Sequence, residues 1–301
     1  MISRLDSSSE QFLNALSGTQ RKLNQAQLEL TSGKRINTIS DDPDQIGSLL
    51  QARAELGNSV QAKTNLDRVK TEVDTAESVI SNAVSLVEHA RVLAAQGATG
   101  IGNAATRKSI ADQLGDVLTQ LVSISNTTAE GRSIFSGDSD QSAAYNIDLT
   151  QPVPTGTYLG TAATREIRHP NGTQFAVSKT AQEIFDSVNP SENIFNSINA
   201  IRVALQTNDQ AAIDAALPNL DTAGVFLNQQ HAFYGSVQNK VNDGITYADK
   251  DQVRLAAKIS SIEDADATQA ALELNQAILQ QNAALQSRGK LPRTSLFDFL
   301  A

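Results

Sequence analysis

Residues 62–94, AKTNLDRVKTEVDTAESVISNAVSLVEHARVLA, contain the strongest periodic pattern of the chain. Small and branched apolar residues recur there at alternating spacings of four and three: Ala62, Leu66, Val69, Val73, Ala76, Ile80, Ala83, Val87, Ala90 and Ala94. Because an α-helix has 3.6 residues per turn, this spacing places all of them on one stripe. The pattern predicts a long helix that packs against another helix as in a coiled coil.

Weaker stripes of the same kind occur at both ends of the chain. The first includes Ile2, Leu5, Phe12, Leu16, Leu23, Ala26 and Leu30 and is followed by Gly33, which can close a helix. The last includes Ala267, Ala271, Leu274, Ile278 and Leu285 and is followed by Pro292. Further stripes at 110–124, 194–205 and 213–241 predict more helices, the last of them disturbed at Pro218.

Between 131 and 180 the pattern changes to turn residues, prolines and β-branched residues. Short strands are expected at 158–160, 165–168 and 175–177, with Asn171-Gly172 as a two-residue hairpin turn. This segment is therefore interpreted as a small β-rich insert that is dispensable for the helices around it.

The pattern as a whole predicts a mainly α protein. Its N- and C-terminal segments are expected to form an elongated, antiparallel, coiled-coil-like helical rod with the β-rich insert at its far tip. The expected division is 1–44 with 252–301 as terminal helices, 45–137 with 181–251 as the rod, and 138–180 as the insert. The terminal stripes are amphipathic and need each other or neighbouring subunits to bury their apolar faces.

Composition excludes several classes of function. The net charge of −9 argues against a sequence-independent nucleic-acid binder. With no cysteine, disulfides, zinc thiolates and a cysteine nucleophile are impossible. No apolar run reaches the length of a membrane span, so no membrane insertion is expected, and the first residues lack the features of a cleaved signal peptide.

The candidate chemical groups favour no catalytic, metal or cofactor site. His89, His169 and His231 are isolated from one another and match no metal-ligand spacing. The acidic loop that contains Asp138, Asp140 and Asp148 lacks the spacing of an EF-hand. The expectation is a protein that is not an enzyme and has no cofactor.

Four motifs resemble the flagellin family. They are Leu30–Asn37 followed by Ser40-Asp41-Asp42-Pro43; Asn126–Gly137; Ile259–Asp266; and the tail Ser295–Leu300. They lie in family order over most of the chain. Asp-Asp-Pro and the tail resemble the hook-associated branch, type 3, more than filament flagellin.

The resemblance implies a structural, extracellular subunit of the bacterial flagellum. Proteins of this family leave the cell unfolded through the flagellar type III channel, with no cleaved signal peptide, and their terminal helices order in an inner tube. The expected role is the adaptor at the hook–filament junction. The implied partners are identical subunits, another hook-associated protein, flagellin and an export chaperone.

The predicted subunit-contact residues come from the two terminal stripes, the loop before Pro43 and the tail. They are Leu5, Phe12, Leu16, Leu23, Leu30, Arg35, Asp41, Asp42, Pro43, Ala267, Ala271, Leu274, Ile278, Leu285, Leu296, Phe297 and Phe299. Two alternatives stay open: a filament flagellin with a reduced outer domain, and a secreted helical effector or binding module. An enzyme hidden in the insert is a remote third.

Overall fold

The computed structural model of the protein describes residues 7–99, 103–139 and 141–290. The helices are α1 (Ser7–Ser32), α2 (Pro43–Ala98), α3 (Ala104–Ser125), α4 (Ala181–Phe185), α5 (Ile194–Gln206), α6 (Gln210–Glu263) and α7 (Ala267–Lys290). The strands are β1 (Thr128–Ala129), β2 (Arg132–Ser133), β3 (Glu166–Arg168) and β4 (Gln174–Ala176). The mainly α class that the sequence predicts is confirmed.

The chain divides into two compact units, the first built from two segments far apart in sequence and the second from one continuous segment. The first unit joins the chain up to Asn58 with the chain from Asp251 onward, and the second is Ser59–Lys250. In the first unit α1 packs against α7. The side chain of Gln281 donates a 2.7 Å hydrogen bond to that of Gln20, and an isolated β-bridge joins Lys34 to Asp264. These two contacts make α1 and α7 antiparallel.

In the second unit α2 and α6 form the expected antiparallel pair. Arg91 Nε donates to Asp221 Oδ1 at 2.7 Å, Glu77 Oε1 lies 2.8 Å from His231 Nε2, and Lys63 Nζ pairs with Asp249 at 2.5 Å. In these contacts the residue number on α6 rises as the residue number on α2 falls, so the two helices run in opposite directions. The stripe at 62–94 faces this partner, and eight of its ten members are buried.

The hydrophobic core of the second unit also includes α3, α4 and α5. Its large, fully buried side chains include Phe135, Tyr145, Phe185, Phe195 and Tyr234. Phe135 meets both Phe185 and Tyr234 edge to face, with ring centroids 6.4 Å apart in each pair. Few aromatic residues are present in the chain, and several of them are concentrated in this one cluster.

The structure corrects the sequence-based prediction of the insert in two places. Residues 158–160 are not a strand. The turn around Asn171-Gly172 is longer than two residues, because His169 N donates to Thr173 O at 2.7 Å and encloses three residues. Gly172 has a φ of 97°, which suits glycine in such a loop.

The insert is also not placed at the far tip. Its β3–β4 hairpin lies along the α2–α6 pair, where Arg165 Nη2 is 2.5 Å from the buried carboxylate of Glu72. At the hairpin turn, the ring of His169 lies 5.7 Å from that of Tyr247 and packs over Gly244. The hairpin therefore extends towards one end of the second unit, the end where the chain passes into the unit along α2 and out of it along α6.

Two small elements were missed, although both have a local signal. Glu130 and Gly131, with φ of 51° and 77°, form a two-residue turn between β1 and β2. Thr180 and Glu183 form a reciprocal capping box that starts α4.

Pro218 does not end the helix, because α6 continues through it. Pro218 is on the exposed face of α6, where the carbonyl group that lacks a helical partner can bind water.

Insert side chains fill the core of the second unit. Ala144, Tyr145 and Val177 belong to the same cluster of buried residues as the helix stripes. Tyr145 also donates a 2.9 Å hydrogen bond to Asp186 Oδ2, and its backbone is held by the side chain of Asn126. The insert is thus part of the core, which argues against the expectation that it is dispensable.

We expect Tyr145→Ala to destabilise the second unit by about 3–5 kcal/mol, the usual cost of truncating a buried aromatic side chain. Urea unfolding followed by circular dichroism measures the change. Tyr247→Ala is the matched control, because Tyr247 is 46% exposed and should cost far less. Equal stability of the two variants would show that the insert does not support the core.

Candidate functional site

The loop between α1 and α2 is tied to the junction between α6 and α7, about 230 residues later in sequence. Gly33, with a φ of 70°, ends α1 in the left-handed conformation. Arg35 N then donates to Glu263 O at 2.7 Å, and Ala265 N donates to Gly33 O at 2.9 Å. These two bonds form a short antiparallel bridge within the first unit.

Glu263, the last residue of α6, is the charged centre of this junction. Its side chain is 3% exposed and forms ion pairs with Lys34 and, at 2.6 Å, with Arg53 Nη2. The hydrogen bond from Lys34 lowers the pKa of Glu263 most, burial opposes this shift, and Arg53 lowers the pKa further. One buried carboxylate thus joins the loop, α2 and the end of α6. We call this arrangement the Glu263 clasp.

Arg35 and Asp42 secure the other side of the loop. Arg35 Nη1 donates to Asp42 Oδ2 and Nη2 donates to Ile262 O, both at 2.8 Å. The hydrogen bond from Arg35 is the largest cause that lowers the pKa of the Asp42 carboxyl group. Asp42 Oδ1 also accepts from Gln45 N at 3.2 Å. Asp42 therefore caps α2, and Pro43 occupies the first helical position, where no N–H is needed.

Asp41 fixes the turn of the loop. Its Oδ2 accepts from the backbone N–H groups of Asn37 and Thr38 at 2.8 and 2.7 Å, and its Oδ1 accepts from Thr38 Oγ1 at 2.8 Å. These hydrogen bonds, that of the Thr38 backbone first, lower the pKa of Asp41. The structure therefore brings together the predicted residues Arg35, Asp41, Asp42 and Pro43 in one ordered loop.

The α1–α7 pair uses part of the two predicted terminal stripes. On α1, Phe12, Leu16 and Leu23 are half-buried and Ala26 is buried. On α7 the buried residues are Ala270 and Ala277, neither of which was predicted. Of the predicted α7 residues, Ala271 and Leu274 are half-buried, whereas Ala267, Ile278 and Leu285 are exposed.

Large apolar side chains remain exposed on α7. Leu272, Ile278, Leu279 and Leu285 are 54%, 39%, 68% and 52% exposed. Leu272 and Leu279 are each two positions, about 200°, from the buried alanines, so they lie on the opposite face of the helix. On α1, Leu30 is 37% exposed. The remaining predicted residues, Leu5, Leu296, Phe297 and Phe299, lie outside the described residues.

Sequence reasoning missed the role of Glu263 and Arg53. Glu263 directly follows Ile262 near the end of α6, on the side of the helix that faces the rest of the unit. A charged residue at an inward position is a usable signal, since carboxylates are rarely buried without a partner. The identity of its partners depends on which segments meet, and one sequence does not reveal that.

Within the described ranges no three His, Cys, Asp or Glu residues are grouped as a metal site would require. No helix in the described part of the chain combines the length and apolar character needed to cross a membrane.

These features define a helical protein whose two ends are clasped together and which displays apolar side chains on its last described helix. The pattern of the bacterial flagellin N-terminal helical region matches residues 5–140, and that of the C-terminal helical region matches residues 217–300. Together the two regions cover most of the chain. The chain belongs to the bacterial flagellin family and is a structural protein of the flagellum.

Individual relatives agree with this assignment. Flagellin FlaB1 of Treponema pallidum is 22% identical over 275 residues, which are 90% of each chain. The structure of a putative flagellar hook-associated protein from Vibrio parahaemolyticus matches 74% of this chain and 100% of its own, with a TM-score of 0.65 and 21% identity. The flagellar hook-associated protein-3 of Legionella pneumophila matches 70% of this chain and 98% of its own, with a TM-score of 0.62 and 13% identity.

We expect Glu263→Gln to loosen the first unit by roughly 1–3 kcal/mol, less than for a fully buried ion pair because Lys34 and Arg53 are about half exposed. Faster amide hydrogen exchange in α1 and α7 would report the loss. Glu273→Gln, which changes an exposed carboxylate on α7, is the control. Unchanged exchange in the Glu263 variant would contradict the clasp.

The clasp also has a defined pH dependence. Because the folded-state pKa of Glu263 is lowered from 4.5, its stabilising contribution is fully present above that value and is lost as the pH falls through the folded-state pKa. Below pH 4.5 the wild-type chain and Glu263→Gln should therefore converge in stability. A difference that grows as the pH falls would have the wrong sign.

Proposed function

We propose that this chain is the adaptor between the hook and the filament and that it self-assembles through α1 and α7 after type III export. The proposal rests on the positions of small and large apolar side chains on α7, because the large ones lie on the outer face instead of the inner one. Alanines face α1 within the chain, whereas leucines face outward, so the larger apolar surface of α7 is available to a neighbouring subunit. Covering four such side chains would contribute several kcal/mol at about 25 cal/mol per Å².

The placement at the junction is supported by the two solved structures described above, since one is described as a putative hook-associated protein and the other as hook-associated protein-3, and they match 74% and 70% of this chain. The Asp42-Pro43 cap adds a second argument, because this dipeptide resembles the hook-associated branch. We infer a structural rather than catalytic role, and identical subunits, another hook-associated protein and flagellin as partners. Export without a cleaved signal peptide and an export chaperone belong to the same proposal.

A filament flagellin with a reduced outer domain is the second candidate, favoured by one observation. The full-length sequence relative FlaB1 is a flagellin and matches 90% of this chain. In both roles the subunits self-assemble through α1 and α7. The roles differ in which other flagellar protein the assembled subunits contact.

Replacing Leu279 by Asp should raise the protein concentration needed for assembly without changing the helicity of the monomer. The carboxylate is tolerated in water at this exposed position, but it costs about 2 kcal/mol or more where a neighbour covers it. Sedimentation measures assembly, and circular dichroism measures helicity. Gln280→Asp, which adds the same charge at an exposed α7 position about 100° around the helix from Leu279, is the control. Normal assembly of the Leu279 variant would remove this face from the interface.

Deletion of the gene separates the two candidate roles. Cells that lack a junction adaptor should keep their hooks, lose their filaments and release flagellin into the medium. Cells that lack their filament flagellin should release none of it. Electron microscopy and analysis of the culture medium distinguish the outcomes, and filaments of normal length would contradict both roles.

A further inference from the structure

The turn that contains Asn171 and Gly172 lies at the exposed end of the β3–β4 hairpin. Both residues are exposed, and so is Thr173, which follows them. Asparagine is a chemically labile residue, because the backbone nitrogen of the next residue can attack its side-chain carbonyl carbon. Gly172 has a φ of 97° and carries no side chain, so its nitrogen can approach Asn171 without steric hindrance.

The side-chain carbonyl group of Asn171 already faces two hydrogen-bond donors. Thr173 N donates to Asn171 Oδ1 at 3.0 Å, and Thr173 Oγ1 donates to the same oxygen at 2.8 Å. Two donors aimed at one carbonyl oxygen stabilise the negative charge that develops there when a nucleophile adds to the carbonyl carbon. The folded turn therefore activates Asn171 Cγ for attack.

One hydrogen bond of the turn opposes this attack. Gly172 N donates to His169 O at 2.8 Å, and this N–H must be released before the nitrogen can react. Because the turn is at the surface, such a bond opens at a low cost in free energy. The two bonds from Thr173 to Asn171 Oδ1 are separate from it and can persist while it opens.

We propose that Asn171 is a site of spontaneous deamidation in the folded protein. Gly172 N bonds to Asn171 Cγ, the Cγ–Nδ2 bond breaks, and Nδ2 leaves as ammonia with the proton of Gly172 N. The resulting cyclic imide takes up one water molecule and opens to aspartate or to isoaspartate. The reaction needs only water and does not depend on the self-assembly proposed above.

Either product changes the hairpin turn. Aspartate adds a negative charge to the turn, where the Cβ position of Gly172 lies 3.8 Å from Arg168 Nη2. Isoaspartate adds a methylene group to the backbone. The ring of His169, which packs over Gly244 and lies 5.7 Å from the ring of Tyr247, is positioned by the same turn. Deamidation therefore loosens the contact of the hairpin with α6 as the protein ages.

Incubation of the folded, full-length protein at neutral pH tests this proposal. Peptide mapping by mass spectrometry measures the conversion of each asparagine, and a protein-isoaspartate methyltransferase labels the isoaspartate. We expect Asn171 to convert well before Asn58 and Asn196, which are exposed and followed by serine but lie within α2 and α5. A helical backbone fixes the dihedral angles that ring closure must change. Conversion of Asn171 no faster than that of these two residues would overturn the proposal.

Two variants at the exposed Thr173 distinguish this site from the general lability of asparagine. Thr173→Val removes the hydroxyl donor but keeps the branched shape, whereas Thr173→Ser keeps the hydroxyl group. In folded chains, verified by circular dichroism, we expect valine to slow the conversion severalfold and serine to restore it. In concentrated urea all three chains should convert at similar rates, since the turn is then absent.

Equal rates in the folded wild type and the folded Thr173→Val variant would overturn the activation by Thr173. If Asn171 stays intact in the folded chain and converts only in urea, the turn protects this residue, and the proposal is wrong.

Discussion

The apolar stripe of a helix can be buried only against another surface, and in this chain the partner of each N-terminal stripe lies near the other end of the sequence. The helix α1 packs on α7, and α2 pairs with α6 through contacts such as Arg91 to Asp221 and Lys63 to Asp249. The first unit joins the two ends of the sequence, whereas the second is the continuous segment between them. The other elements, including the insert hairpin and the core of aromatic rings, depend on these helix pairs. Each pair forms only when both of its helices are present.

The Glu263 clasp shows how one buried charge can specify such a pairing. A carboxylate that is 3% exposed is costly unless it is compensated, and here Lys34 and Arg53 supply the compensation from two different segments. A slip of α6 by one residue would move Glu263 by about 100° around its axis and break both ion pairs. Apolar seams tolerate small shifts more easily than a pair of hydrogen-bonded charges does. The clasp therefore defines the register in which α6 ends and α7 begins.

The helices were predictable because apolar residues recur in the sequence with the period of an α-helix. Eight of the ten stripe residues between 62 and 94 are buried, and glycine and proline mark the helix ends at Gly33 and Pro43. The α7 interface was less predictable, since the predicted pair Ala267 and Ala271, four residues apart, fits a helical stripe as well as the buried pair Ala270 and Ala277, seven residues apart. An alanine-rich helix offers several faces of similar apolar character, and the partner decides which face is buried.

The insert was the least predictable part because its fold depends on distant residues. Tyr145 is buried through contacts with Asn126, Asp186 and Phe195, and the hairpin is positioned by Glu72 and Gly244. None of these partners is close in sequence. The local signals at Glu130-Gly131 and Thr180–Glu183 were present and could have been found by their turn and capping patterns.

The pairing of the two ends also sets the order of events in time. The partners of α1 lie more than 230 residues further along the chain, and closing so long a loop is slow compared with forming a single helix. A chain of this connectivity that enters or leaves a narrow pore from one end holds its first helix without its partner until the last has passed. The topology itself therefore delays completion of the first unit until α7 is available as the partner of α1.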